Sequence, residues 1–383
     1  MTELPASRDA VLVGRIWRPG LGPSVVTVRD GSVVDITDRH HPTVRDITEA
    51  DDPAAVVANA SGETIADVTA LIENSDETKR NTDQPFLLAP VDLQAVKASG
   101  VTFVTSLLER VIEEQAGGDP TRAADLRRSI VEVIGADLSK LTPGSDEAMA
   151  LKSVLQEKGV WSQYLEVGIG PDAEIFTKAQ PMSAVGSGAY VGLHPVSTWN
   201  NPEPEIAVVV RSDGKTVGAT LGNDVNLRDV EGRSALLLGK AKDNNASAAL
   251  GPFIRLYDDT FGPGDVANAE ISLTVDGEDG FRLTGRSSMA EISRSPDRLV
   301  AATIGDHHQY PDGLVLYCGT MFAPTADRGT PGNGFTHKIG DVVTIATPTL
   351  GALVNCVTLS TEAPRWTFGV RALMANLAER GLL

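Results

Sequence analysis

At 383 residues the chain is long for one compact core, so two domains are the default expectation. Its formal net charge of -18 argues against nucleic acid or an anionic membrane surface as a partner. Hydrophobic residues make up 42%, an ordinary share, and no apolar run approaches the ~20 residues that span a bilayer.

The same charge has a chemical consequence. An anionic substrate is opposed by the global field, so its site must supply local positive charge from a metal or from placed Lys and Arg side chains. The stretch MTELPASRDAVLVGRIW lacks a basic segment followed by an apolar core, and no signal peptide is expected. Two cysteines, Cys318 and Cys356, are too few for a disulfide framework, which makes a reduced, cytoplasmic protein the expectation.

In chain order, the first segment reads as strands. Val11 to Trp17 and Ser24 to Val28 are β-rich, and Asp30-Gly31 offers a hairpin turn into Ser32 to Ile36. A polar, acidic stretch follows from Asp38 to Pro85, with one helical patch at Thr64 to Ile72. Residues 1–88 are therefore expected to form a small N-terminal α/β domain, and 89–383 a second, β-dominated one. Leu87 to Val91 reopens a buried strand, and Gly100 to Thr105 runs directly into a helical pattern over Ser106 to Glu114. Further helices are predicted over Arg122 to Leu141 and over Ser145 to Trp161, the latter with an N-cap serine and an acidic first turn. From Ile169 the pattern turns to strands broken by Asp213-Gly214, Asp276-Gly277, Asp279-Gly280 and Asp312-Gly313. A helix over Val370 to Arg380 closes the chain. Alternating βαβ units are absent, so the fold class expected is α+β with strands dominant.

Glycine motifs offer no nucleotide site. Gly186-Ser187-Gly188 lacks the third glycine of a dinucleotide loop, and Gly239-Lys240 is followed by alanine, which breaks the P-loop pattern. The six histidines form no coordinating spacing, and His308, beside Gln309 and Tyr310, reads as a loop or core residue.

The carboxylates say more. Glu203 and Glu205 flank Pro204 at the mouth of the apolar run Ile206 to Val210 and, two apart in a strand, point to one face. Two carboxylates at the lip of a buried strand repel each other and need a cation or a shared proton. With Asp224 they make three oxygen donors suited to a hard divalent ion such as Mg²⁺. The polar stretch Gly218 to Ser234 reads equally well as an exposed loop with capping side chains. The segment Lys240 to Phe253, rich in amides, lysines and small residues, is harder to read as a plain loop.

The order of these signals resembles the fumarylacetoacetate hydrolase family. Glu-x-Glu at 203–205 is followed by Asn-Asp-Val-x-x-Arg-Asp at 223–229 and by Lys242, nine residues before Gly251-Pro252. Gly319-Thr320 resembles the family's Gly-Thr turn, and Phe335 to Asp341 with Leu350 to Asn355 resembles its closing strands. The likeness covers residues 87–360. The stretches WSQYLEVGIGPDAEIFTK (161–178), TWNNPEPE (198–205), LGNDVNLRDVEGRSALLLGKAKDNNAS (221–247), HQYPDG (308–313) and GTMFAP (319–324) are similar to the sugar-acid branch of that family.

This resemblance implies a mixed β-sandwich roll as the catalytic domain, with Mg²⁺, or Mn²⁺, held by Glu203, Glu205 and Asp224. It implies that Lys242 orients a metal ligand or the substrate's oxygens and that Arg228 or Thr320 holds a substrate carboxylate, with Asp229 and Asn244 as further contacts. Hydrolytic members carry a Gly-x-Asn-Tyr-x-x-His-x-x-Glu run, aligned here with Gly100, Thr102, Phe103, Ser106 and Glu109. Ser106 stands where the histidine would be and cannot serve alone as a base near neutral pH. Glu109 is then the acid/base candidate, with Ser106 bonding a substrate hydroxyl. Loss of water, rather than hydrolysis, is the implied chemistry.

The expected reaction is dehydration of the small-molecule 2-keto-3-deoxy sugar acid derived from D-xylonate, in oxidative pentose catabolism, by a homodimer or homotetramer. An acylpyruvate or fumarylacetoacetate-type hydrolase, a 2-oxoacid decarboxylase, a dehydratase for the L-arabonate-derived epimer, and a metal-binding protein without activity stay open. Fold analogy does not separate them, because the site decides.

Overall fold

The computed structural model describes residues 2–123, 141–157, 159, 161–328 and 334–383. Among these residues two sheets dominate, giving the expected strand-rich α+β class. The larger sheet runs, in spatial order, through Glu63–Asp67, Ser32–Asp35, Gly22–Arg29, Leu12–Arg18, Ala248–Leu256, Thr216–Asp224, Pro204–Val210, Leu314–Tyr317, Ala95–Ser99 and Ile175–Ala179. Phe86–Leu87 pairs with Leu12–Arg18 off this path. The smaller sheet runs through Arg282–Ser288, Glu270–Asp276, Val342–Thr347, Gly351–Leu359 and Tyr190–Leu193. The N-terminal strands thus join the main sheet, through antiparallel pairing of Leu12–Arg18 with Ala248–Leu256.

The strand Pro204–Val210 is buried along its whole length. Side chains alternate between faces, and the two faces meet different cores. Ile206, Val208 and Val210 pack into the layer between the sheets with Leu273, Ile345 and Leu353. Ala207 and Val209 face the second core, with Val96, Ile254 and Val315, which Val44 and Ile47 of the short helix Val44–Thr48 help to cover. A strand with apolar partners on both sides needs no alternating pattern, which is why it reads as a continuous apolar run.

Local chemistry accounts for most boundaries. Asp30 and Gly31 both take positive φ, 47° and 76°, and join Gly22–Arg29 to Ser32–Asp35 by a two-residue turn. Ser145 accepts a hydrogen bond from the Ala148 amide ahead of the helix Asp146–Glu157, as its N-cap position predicts. The helix predicted over Arg122 to Leu141 lies almost wholly outside the described residues.

Three segments differ from expectation. The polar stretch after Asp38 contains two short helices, Val44–Thr48 and Pro53–Asn59, started by a Thr43–Asp46 capping box and by Asp52. Each is too short to show a helical period. The helical patch at Thr64 to Ile72 divides at Asp67 into an edge strand and the helix Val68–Ser75, whose first amides bond the Asp67 carboxylate. The strand expected at Gly100 to Thr105 lies earlier, at Ala95–Ser99, because Val101 has φ of 47° and cannot continue it.

The layer between the sheets carries stability. Leu273→Ala, at a side chain 1% exposed, should lower unfolding free energy by about 2–5 kcal/mol in urea titrations. Leu236→Ala, at a residue 95% exposed, should change it by less than about 0.5 kcal/mol.

Candidate active site

Strand parity aims the carboxylates. Glu203 and Glu205 share the parity of Ala207 and Val209, so both point away from the layer between the sheets. Antiparallel pairing sets Gly222 opposite Glu205, and the Asp224 amide donates to the Glu203 carbonyl at 3.0 Å. Asp224 is thereby drawn in. One carboxylate oxygen from each of the three residues lies within 4.8 Å of the others, and all three residues are buried.

Buried anions this close require compensating charge. Lys242, at the end of the helix Leu238–Lys242, donates to Glu203 at 2.5 Å and to Asp224 at 3.1 Å. Lys178 reaches Asp224 at 2.7 Å and also donates to the carbonyls of Val225 and Lys242. Its strand, Ile175–Ala179, stands four places from Thr216–Asp224 in the sheet order, so the sheet must curl to bring the two together. Burial alone would raise the Asp224 pKa, but Lys178 and Lys242 hold it below the usual carboxylate range.

Glu205 is left worse off. Burial first, and then the neighbouring Asp224, push its carboxyl well above the ordinary range. The Gly319 amide donates to it at 2.7 Å, from a backbone with φ of 102° that glycine adopts readily, and the Thr320 hydroxyl lies 3.4 Å away. These contacts do not offset the burial. A carboxyl in this state takes up a proton or a cation.

The helix Val104–Ala116 supplies a second wall. Ser106, Arg110 and Glu113 fall at i, i+4 and i+7, on one helical face. Arg110 donates to Glu203 and to Glu113 and lies 3.3 Å from Glu231. Burial opposes its charge, yet Glu113 and Glu231 outweigh that and raise its pKa. Glu113 is shared with Arg228, 3.2 Å away, which also donates to Asn201 and lies over the Trp199 ring.

Glu174 completes the site. With Phe176 and Lys178 it alternates onto one face at the start of the strand Ile175–Ala179. A methyl group on Gly100 would collide with the Glu174 carboxylate, so the glycine leaves the space that the carboxylate fills. Burial, and then the charge of Glu231, push this half-buried carboxyl up to about 7. Ser106, Arg110, Glu174, Glu203, Asp224, Glu231, Lys242 and Thr320 all line one narrow cavity, and no histidine is among its described lining residues.

The structure therefore brings together the three carboxylates, Lys242, Ser106 and Thr320. It does not bring in four other expected residues. Glu109 is buried but does not line the cavity, since it precedes Arg110 and is rotated about 100° from it around the helix. Arg228 stands behind Glu113. Asp229 accepts from the Ser197 hydroxyl and the Thr198 amide, both at 2.7 Å, and so ties down the neighbouring turn. Asn244 bonds the Lys240 carbonyl and the Ser247 hydroxyl, closing the turn after Lys242.

A family model described as fumarylacetoacetate (FAA) hydrolase C-terminal matches residues 150–358, more than half of the chain. The chain belongs to the fumarylacetoacetate hydrolase family. A probable 2-keto-3-deoxyxylonate dehydratase of Haloferax volcanii is 28% identical over 264 residues, 63% of this chain and 87% of that protein. A 2-dehydro-3-deoxy-D-arabinonate dehydratase of Saccharolobus solfataricus is 33% identical over 184 residues, 48% of this chain and 58% of that protein. Among solved structures, a 2-keto-3-deoxy-D-arabinonate dehydratase complexed with magnesium and 2,5-dioxopentanoate matches with a TM-score of 0.63 and 21% identity, over 91% of this chain and 99% of that one. At that identity the likeness is one of fold.

Five residues of this fumarylacetoacetate hydrolase family site are absent from the sequence expectations: Arg110, Glu113, Glu174, Lys178 and Glu231. Two periodicities mark four of them. Arg110 and Glu113 continue the helical face of Ser106, and Glu174 and Lys178 continue the strand face of Phe176. Glu231 carries no such mark. The carboxylate triad fits a hard divalent ion, being three oxygen donors mutually within 4.8 Å, and no cysteine or histidine among the described residues joins that group.

Lys178 is fully buried, and its loss removes one of the two cations paired with Asp224 and a donor to the Val225 and Lys242 carbonyls. Lys178→Met should lower unfolding free energy by about 3–5 kcal/mol in urea titrations with EDTA. Lys79→Met, at an exposed pair with Asp76, should alter it by less than about 1 kcal/mol.

Proposed function

We propose that this protein is a divalent-cation-dependent hydro-lyase that removes water from 2-keto-3-deoxy-D-xylonate to give 2,5-dioxopentanoate. The observation that carries this reading is the pairing of the carboxylate triad with Glu174, a carboxyl pushed up to about 7, in a cavity without a histidine among its described lining. Such a site can move a proton near neutral pH but has no imidazole to activate water for hydrolysis. The named relatives support the substrate class. D-xylonate and D-arabinonate give the same compound once C2 is a ketone and C3 a methylene, so both relatives' names point to one substrate.

Mg²⁺ or Mn²⁺ held by Glu203, Glu205 and Asp224 would supply Lewis acidity toward the carboxylate and C2 carbonyl oxygens of a 2-oxo acid. The chain's own residues do the rest. Lys242 fixes two of the three carboxylates, and Ser106 and Thr320 offer hydroxyls to the substrate. We assign the proton transfers to Glu174, because Glu109 does not line the cavity. Glu174 removes a C3 proton and returns it to the C4 hydroxyl as that leaves as water. Loss of a C5 proton and protonation at C3 then leave a C4–C5 enol, and protonation at C4 with loss of the enol hydroxyl proton gives the C5 aldehyde, with water as the only other product.

Self-association as a homodimer or homotetramer in the cytoplasm belongs to the same proposal. Trp366, Val370 and Met374, all substantially exposed on or just before the last helix, support an interface. No described helix is long and apolar enough to cross a membrane.

The deciding experiment offers the purified protein 2-keto-3-deoxy-D-xylonate, its L-arabonate-derived enantiomer and an acylpyruvate, each with Mg²⁺ and with EDTA. Aldehyde should form from the first alone and only with metal. Cleavage of the acylpyruvate, or full turnover in EDTA, would overturn the reading. Glu174→Gln should bind substrate yet slow turnover by roughly two to four orders of magnitude. Since the base form of Glu174 is lost below its raised pKa, kcat/KM should fall about tenfold per pH unit below about 7, an acid limb absent from the variant's residual rate.

A further inference from the structure

The network around Glu203 contains one cation more than the triad's own lysines. Both oxygens of Glu203 are engaged, one by Arg110 and the other by Lys242 at 2.5 Å. A divalent ion on Glu203 is repelled by a cation already paired with that carboxylate, and the partner with other anions to hold is the one that yields. The two candidates differ in what they keep. Among the described residues, the ion pairs of Lys242 are with Glu203 and Asp224, both members of the triad. Arg110 also holds Glu113 at 2.6 Å and lies 3.3 Å from Glu231, and neither is part of the triad. It can leave Glu203 and remain paired.

Its position then matters. Arg110 lines the cavity one helical turn beyond Ser106, and it is the only guanidinium among the described lining residues. Arg228 is held back by Glu113 and Asn201. A guanidinium presents a planar fork of donors that matches a carboxylate or vicinal oxygens. Anchored by Glu113 and Glu231 on one side, such a fork has its other side toward the space an anion would enter.

We propose that Arg110 is the cation against which a divalent ion competes for Glu203, and that its release turns the guanidinium to the incoming 2-oxo acid. The proposal rests on the metal-dependent reading of the site. It makes binding ordered: metal first displaces Arg110, and the anion then finds a donor that was previously occupied. Arg110 is a gripping residue for substrate and a brake on metal binding at once.

The test is calorimetric and needs no turnover. Metal-stripped wild type, R110M, R110Q and E203Q are titrated with Mn²⁺, and the Mn²⁺-saturated proteins are then titrated with pyruvate, a 2-oxo acid with no C4 hydroxyl to lose. Removing a positive charge in contact with Glu203 should tighten Mn²⁺ binding by at least about tenfold in both neutral variants, which damage to the fold would not do. Pyruvate affinity should fall by about tenfold or more in the same variants. Unchanged or weaker Mn²⁺ binding in whichever variants fold, or unchanged pyruvate affinity, would overturn the role of Arg110. Wild-type Mn²⁺ affinity in E203Q would instead overturn the metal site itself, and the Arg110 proposal with it.

Discussion

Three carboxylates held out of water at the end of a strand that is itself buried set the terms for everything around them. Glu203, Glu205 and Asp224 cannot all remain ionised there without cations close by. The chain answers with Lys178 and Lys242 on one side and Arg110 on the other. Arg110 in turn has to be held, and Glu113, Glu231 and Arg228 form the outer ring that does so. The polar interior is therefore a graded network, strongest in charge at the triad and neutralised outward. Glu205 is the member for which protein cations are insufficient, as the upward displacement of its carboxyl shows. It is the point at which the protein depends on something from solution.

The roll geometry makes such a network possible. The carboxylates come from adjacent antiparallel strands, Lys178 from the far end of the same sheet, Lys242 from a short helix, and Arg110 from the helix that follows Ala95–Ser99. A flat sheet would keep Lys178 and Asp224 apart. Curling the sheet brings its flank over the triad and leaves the narrow cavity between them. Packing enforces the curl, since one face of Pro204–Val210 is spent on the smaller sheet and the other on the core that the N-terminal region covers.

Much of this was legible in the chain. The apolar run Ile206 to Val210 and the two-residue spacing of Glu203 and Glu205 specify a common face whatever the fold. The helix beginning near Ser106 and the Asp-Gly turns were readable from local chemistry alone. What escaped were properties of assembly. Glu174 resembles any acidic residue at a strand entrance until the curl brings Glu231 near it and removes its water. Glu109 and Arg110 are neighbours in sequence, and only the helix's rotational setting decides which of them meets the cavity. Asp229 and Asn244 sit among functional neighbours yet spend their hydrogen bonds on turns. Short helices such as Val44–Thr48 are too brief for periodicity, and only their caps announce them.

The closure of the sheet also sets when the centre can exist. Its parts are drawn from residues as far apart in the chain as Arg110 and Lys242, and Lys178 meets Asp224 only after the intervening strands have paired. Contacts of such long sequence separation form late, because loop-closure entropy must be overcome first. A nascent or partly folded chain thus presents scattered acidic side chains that hold divalent ions weakly, and tight coordination arrives with the last turn of the roll. Ion capture would then act as a latch on the completed fold, rewarding molecules that have finished assembling and leaving unfinished ones without it.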